Sequence, residues 1–165
     1  LDWREVYGVD QYLVFDITDD KNDFKGTTAT SDIAFHDLNP AWEYDFLVLA
    51  YDANGTLLAW GIAENVCAAC EPAKNLSVSV SDSNTINASW EYVACHGYYI
   101  QWSTDPTFTD KSKIQGAWIN GTYSTNYTIK TSDSADKYYV RVRCWKNYQG
   151  GYIYSDFCSP VSAAK

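Results

Sequence analysis

The 165-residue chain contains no methionine and only two histidines, and positive charge is scarce: 12 Lys and Arg stand against 21 Asp and Glu, a net charge of −9. A surface of that sign repels a nucleic-acid backbone and an anionic membrane, so no nucleic-acid partner is expected. No apolar run approaches the length of a spanning helix, which argues against direct membrane insertion, and no signal peptide is recognisable. The missing methionine, including a start Met, suggests an excised fragment, with flanking domains in a parent protein. Only His36 and His96 could act as acid–base groups near neutral pH, which is thin equipment for catalysis. His96 adjoins Cys95, but neighbours on a strand point to opposite faces, so the two are not expected to pair. The chain reads as non-enzymatic, with no cofactor.

What is plentiful is aromatic: 14 Tyr and 7 Trp in a chain that is 46% hydrophobic. Tyr and Trp favour strands and also interfaces, so the excess has a structural and a binding reading. No stretch shows a helical period. Apolar residues alternate instead, over 12–17, 44–51, 56–62, 76–80, 86–90, 98–102, 127–129, 138–145 and 152–161, which predicts an all-β protein. Asp52-Ala53-Asn54-Gly55 between two such runs is a hairpin turn, because Asn-Gly readily takes positive φ. Residues 64–74 break the alternation and carry a proline, so they read as a linker.

Internal repetition organises the rest. Trp3-x-x-Val6 recurs as Trp90-x-x-Val93. Tyr12-x-Val14-x-x-x-Thr18-Asp19 recurs as Tyr98-x-Ile100-x-x-x-Thr104-Asp105, followed by Phe24 and Phe108 respectively. Tyr44-x-Phe46-x-Val48-x-Ala50-Tyr51 recurs as Tyr138-x-Val140-x-Val142-x-Cys144-Trp145. The expected layout is one β module over 1–66 that lacks its opening strand, a linker over 67–74, and a second module over 75–165.

These blocks resemble the fibronectin type III family. The Trp of the second strand, the Tyr opening the third and the corner Leu38-Asn39-Pro40-Ala41-Trp42-Glu43-Tyr44 carry the likeness. It implies two tandem immunoglobulin-like β-sandwiches. In such a corner the Tyr44 ring enters the core while its hydroxyl bonds back to the backbone. The second copy has Ile129 and Tyr138 in the matching places, with a longer connection and no proline. Residues 97–108 and 137–143 are similar to modules of surface proteins of Gram-positive, often gut-dwelling, bacteria. The closing Tyr154-Ser155-Asp156-Phe157-Cys158 is also faintly similar to the Trp-Ser-x-Trp-Ser box of cytokine receptors, with both Trp positions changed.

Five cysteines, Cys67, Cys70, Cys95, Cys144 and Cys158, are disulfide candidates, and an odd count leaves at least one thiol over. In a tandem of this fold, one arrangement ties Cys67 or Cys70 to the second module, with another bond inside it; free thiols are the alternative. Cys67-Ala-Ala-Cys70 has zinc-ligand spacing, but no second pair completes four ligands. Asp16, Asp19, Asp20 and Asp23 could hold calcium, but they lack the glycine of an EF-hand loop and match a plain turn in the other copy. Sequons begin at Asn54, Asn75, Asn87, Asn120 and Asn126 and have meaning only in a secreted eukaryotic context.

The remaining candidate is the outer row of 138–145. Tyr139, Arg141, Arg143 and Trp145 alternate there, and the neighbouring strand should add Tyr99 and Gln101, with Tyr148 and Tyr152 on the adjoining hairpin. Arg and aromatics are enriched at interfaces, and Trp or Tyr faces also stack on sugars. The plainer alternative is cross-strand Arg–Tyr pairing that only stabilises an exposed sheet. Trp42, Trp60 and Trp118 are further exposed-aromatic candidates of unassigned facing. The expectation is a secreted or cell-wall-displayed bacterial fragment that binds a host protein, such as an immunoglobulin or a mucosal glycoprotein. A carbohydrate-binding accessory module and a passive spacer are the alternatives.

Overall fold

Alternation of buried and open side chains, which marks one-sided strands, runs through nearly every element of the computed structural model, which describes residues 1–131 and 135–165. Twelve strands and two short 3-10 turns make up the regular structure of those residues. The chain divides into two compact units, Leu1–Ala68 and Ala69–Lys165. The protein is all-β, and each unit is an immunoglobulin-like sandwich.

In the first unit, β1 (Gln11–Asp16), β2 (Asp23–Thr28), β3 (Glu43–Tyr51) and β4 (Leu57–Cys67) form one antiparallel sheet in the order β2-β1-β3-β4. Tyr12 and Val14 of β1 and Tyr44, Phe46, Val48 and Ala50 of β3 bury the inner row. The opposing layer is slight: an isolated bridge joins Asp2 to Asp32. The hairpin after β3 closes as expected, with Asp52 Oδ1 accepting from the Asn54 and Thr56 amides and Gly55 at φ 79°. β4 runs on to Cys67, through residues expected to belong to the linker. β2 was not anticipated as a strand.

The second unit has two full layers. One is β5 (Lys74–Asp82), β6 (Thr85–Glu91) and β9 (Asn126–Lys130). The other is β8 (Gln115–Asn120), β7 (Gly97–Ser103), β10 (Lys137–Tyr148) and β11 (Gly151–Tyr154), with β12 (Val161–Ala164) also paired to β10. The single strand expected over 152–161 is therefore two strands, parted by residues 155–160. β8 is a second strand that alternation did not reveal. Ile86, Ile100, Ile129, Val140, Val142 and Cys144 are fully buried between the layers.

The repeat is visible in atoms. Trp3 meets Tyr12 edge-on at 5.1 Å, and Trp90 meets Tyr98 edge-on at 5.3 Å. The Tyr12 hydroxyl accepts from the Val6 amide at 2.9 Å, and the Tyr98 hydroxyl accepts from the Val93 amide at 3.3 Å. The Tyr44 corner forms as expected, its hydroxyl accepting from the Asn39 amide at 2.8 Å. Tyr138 is buried in the matching place, but its hydroxyl has no hydrogen-bond partner among the described residues.

Candidate functional site

The outer face of the second unit's larger sheet gathers most of the residues singled out above. Antiparallel register sets Arg141 opposite Gln101, Arg143 opposite Tyr99, and Trp145 opposite both Gly97 and, on β11, Tyr154. On the far side of β7, Tyr99 faces Trp118 of β8. Each of these outward side chains therefore has an outward neighbour one strand away, the distance at which cross-strand pairs interact.

The two arginines are held between rings. Arg141 lies 4.0 Å from the Phe108 ring centre and 4.0 Å from that of Phe157. Its Nε and Nη2 donate to Gln101 Oε1 at 3.0 and 2.7 Å. Arg143 sits 4.1 Å from the Tyr154 ring, 4.8 Å from Phe157 and 5.4 Å from Tyr99. The result is a stack in the order Phe108, Arg141, Phe157, Arg143, Tyr154. Each cation–π contact contributes on the order of 0.5–2 kcal/mol, more as water is excluded. Burial, and then the charge of Arg143, lower the Arg141 pKa from its ordinary value. Among the described residues, no carboxylate forms an ion pair with either arginine.

Two short segments build that stack from local chemistry. The Asp105 carboxylate accepts from the amides of Thr107, Thr109 and Asp110, which closes a turn and leaves Phe108 at φ 54°, its ring over Arg141. These bonds, that of the Asp110 amide foremost, hold the Asp105 carboxyl well below the usual carboxylate range. After β11, the Ser155 hydroxyl accepts from the Cys144 amide at 2.9 Å, and the Cys158 amide donates to the Val142 carbonyl at 2.9 Å. Phe157 is thereby clamped against β10. Phe108 and Phe157 were not foreseen as part of the face. The signal for Phe157 and Tyr154 was the altered Trp-Ser-x-Trp-Ser box, where they occupy the two Trp positions.

Trp145 departs from the expectation of a solvated ring. It is on the outer side, but only 7% exposed. Its indole lies on Gly97, where a Cβ would come within 2.7 Å of the ring, and its Nε1 donates to the Tyr98 carbonyl at 3.2 Å. Trp118 and Tyr152 stand over it edge-on at 6.0 and 5.6 Å. Those two rings are 52% and 58% exposed and 5.9 Å apart. With Asn120 and Trp145 they line a shallow depression. Tyr139 is half-buried beside Lys137, and the Tyr148 hydroxyl accepts from Gln149 Nε2 away from the stack. Trp118, one of the unassigned aromatics, is thus central, and Trp60 and Trp42 are exposed in the first unit.

The other candidates have ordinary surroundings. All five cysteines are thiols in this structure, which corrects the expected disulfides. Cys158 Sγ accepts from the Val142 amide, and Cys67 Sγ donates to the Ala68 carbonyl. His96 turns outward, its Nδ1 accepting from the Asn147 amide, while Cys95 turns inward, so the adjacent pair does not meet. Asp16 is buried and accepts from the Thr18 amide as a turn residue. Among the described residues, no three His, Cys, Asp or Glu side chains converge as metal ligands would.

No protein-family model matches the chain, and no curated protein matches it. Among solved structures it is similar to the FN1–FN3 domains of chicken CNTN1, at 15% identity and a TM-score of 0.46, over 96% of this chain and 57% of that one. It is also similar to the FN5 domain of Drosophila Lar, at 13% identity and a TM-score of 0.42, over 58% of this chain and 95% of that one. The chain spans little more than half the length of the CNTN1 structure. These likenesses concern the fold alone.

Proposed function

We propose that this chain is a non-catalytic binding fragment of a secreted or cell-surface bacterial protein, and that Trp118, Tyr152 and Tyr154 of the second unit make the contact. The observation that carries the reading is a pair of open rings, Trp118 and Tyr152, mounted on buried Trp145 beside the arginine stack. A rigid aromatic anchor loses little entropy on binding, and Trp, Tyr and Arg dominate interface energetics. Arg141 and Arg143 act chiefly as the frame, since their planes are covered by rings of the same unit. The partner that suits such a face is a host protein, an immunoglobulin or a mucosal glycoprotein.

The depression also favours a second reading, a glycan accessory module, because a sugar ring can stack on Trp118 while Asn120 offers an amide. The test is binding of the whole chain to immobilised immunoglobulin G and to mucin, with and without competing free sugars. Trp118→Ala with Tyr152→Ala should weaken binding roughly 30-fold or more with the thermal transition unchanged. Competition by free sugar would move the reading to the glycan, and unchanged affinity in the double variant would move the contact off this face.

A further inference from the structure

The first unit leaves open a place that the second unit fills with a strand. The Trp3 amide donates to the Ser31 carbonyl at 2.9 Å, as the Trp90 amide does to the Thr125 carbonyl at 3.0 Å. Residues 1–4 therefore stand where β6 ends, and 31–33 where β9 begins. In the second unit β5 pairs with the other edge of β6 and lies against β12, with Leu76 and Val78 as its half-buried residues. Among the described residues no strand pairs with the corresponding edge of 1–4. Leu1 and Trp3 bond to Ile33 and Ser31, so alternation turns the Asp2 and Arg4 amides to the open side.

The open edge continues into a groove of about 180 Å³. Tyr12, Val48 and Ala50 line its floor, with Trp3 and Val6 on one side and β4 on the other. Register puts Ala59, Gly61 and Ala63 of β4 on the inner side, opposite Ala50, Val48 and Phe46. All three are small, and a Cβ on Gly61 would meet nothing within 4 Å. An apolar cavity of about 150 Å³ holds a benzene ring, so this one admits a large apolar side chain.

We propose that this groove is a strand-addition site, occupied by an extended segment of a partner polypeptide laid antiparallel along residues 1–4. Backbone bonds to the Asp2 and Arg4 amides supply the pairing, and alternate apolar side chains of the segment fill the space over Gly61. A second copy of the chain is a poor donor. Every described strand already has its sheet, and Leu1–Ala68 carries 13 Asp and Glu against 3 Lys and Arg, so two copies repel. The edge also selects by charge. Through the match of Trp3 with Trp90, exposed Arg4 stands in the place from which Glu91 faces Lys74. The occupant therefore presents an acidic side chain to Arg4.

The proposal is independent of what the aromatic face of the second unit binds. The probe is a synthetic peptide of the β5 sequence, Lys74–Asp82, with Lys74→Glu, titrated into the whole chain. Hydrogen exchange read by mass spectrometry should slow at least 10-fold in the fragment that holds residues 2–4. The altered peptide should bind roughly 5-fold more tightly than the unaltered one, and Arg4→Glu in the chain should reverse that preference. Gly61→Phe should fill the groove from within, weakening peptide binding 10-fold or more without lowering the thermal transition. Trp118→Ala with Tyr152→Ala should leave peptide binding unchanged. Unaltered exchange at residues 2–4, protection confined to β5 and β6 through strand exchange, or binding indifferent to both Arg4→Glu and Gly61→Phe would overturn the proposal. So would self-association of the chain that the peptide disrupts, because a second copy would then be the occupant.

Discussion

The two units solve the same inner problem in the same way and treat their outer faces differently. Trp3, Val6 and Tyr12 in one and Trp90, Val93 and Tyr98 in the other make the same edge-on ring contact and the same amide-to-hydroxyl bond. Outside, β3 carries Asp45, Leu47 and Leu49 where β10 carries Tyr139, Arg141 and Arg143. The matched phenylalanines diverge as well. Phe24 leans on Phe15 and stays 57% exposed, whereas Phe108 is buried over Arg141. What a sandwich requires is shared by both copies. What only one copy has is where function is to be sought.

The largest effect that would break the likeness is in the core. Trp90→Ala should cost about 3–5 kcal/mol, while Trp3→Ala, at a half-buried site with a slighter opposing layer, should cost less. Denaturant unfolding of the two variants, followed by a probe in each unit, makes the comparison; equal losses would mean that the units bury this Trp alike. The middle effect concerns the arginine stack. Arg141→Ala should destabilise the second unit by about 1–2 kcal/mol through loss of contact with two rings. Arg141→Lys should restore less than half of that, because an ammonium has no plane to stack. The smallest effect is at the corners. Tyr44→Phe should cost about 1 kcal/mol, since it leaves the Asn39 amide without its acceptor, whereas Tyr138→Phe should change stability by less than about 0.5 kcal/mol. A matched loss at Tyr138 would show that the second corner is tied after all.

The inner rows were legible because period two is strong in β3 and β10 and because each copy vouches for the other. β2 and β8 were not. Both are six-residue strands that end their sheets, and each contains a glycine, Gly26 or Gly116, that thins the strand signal. Gly116 is there because the Tyr99 ring lies over it: a Cβ would come within 2.7 Å of the Tyr99 hydroxyl oxygen. Missing β8 left Trp118, the most open Trp of the candidate face, without an assigned direction. Alternation placed Trp145 on the correct side but could not say what covers it, since Tyr152 and Trp118 arrive from two other strands. The same limit applied to Arg141 and Arg143. Their side of the sheet was readable, and the phenylalanines that enclose them come from turns with no period.

Gly97 imposes an order on how this surface can change over generations. A side chain there would strike both the Trp145 ring and the backbone carbonyl of Ile119. Replacing Trp145 removes one obstacle and leaves the other, so the tryptophan can drift while the glycine cannot follow. Replacing Gly97 first lifts the indole from its seat and also disturbs the pairing of β7 with β8. Lineages that abandon this face should therefore lose the ring and keep the glycine, which makes a bare Gly97 the trace by which a former contact surface would be recognised.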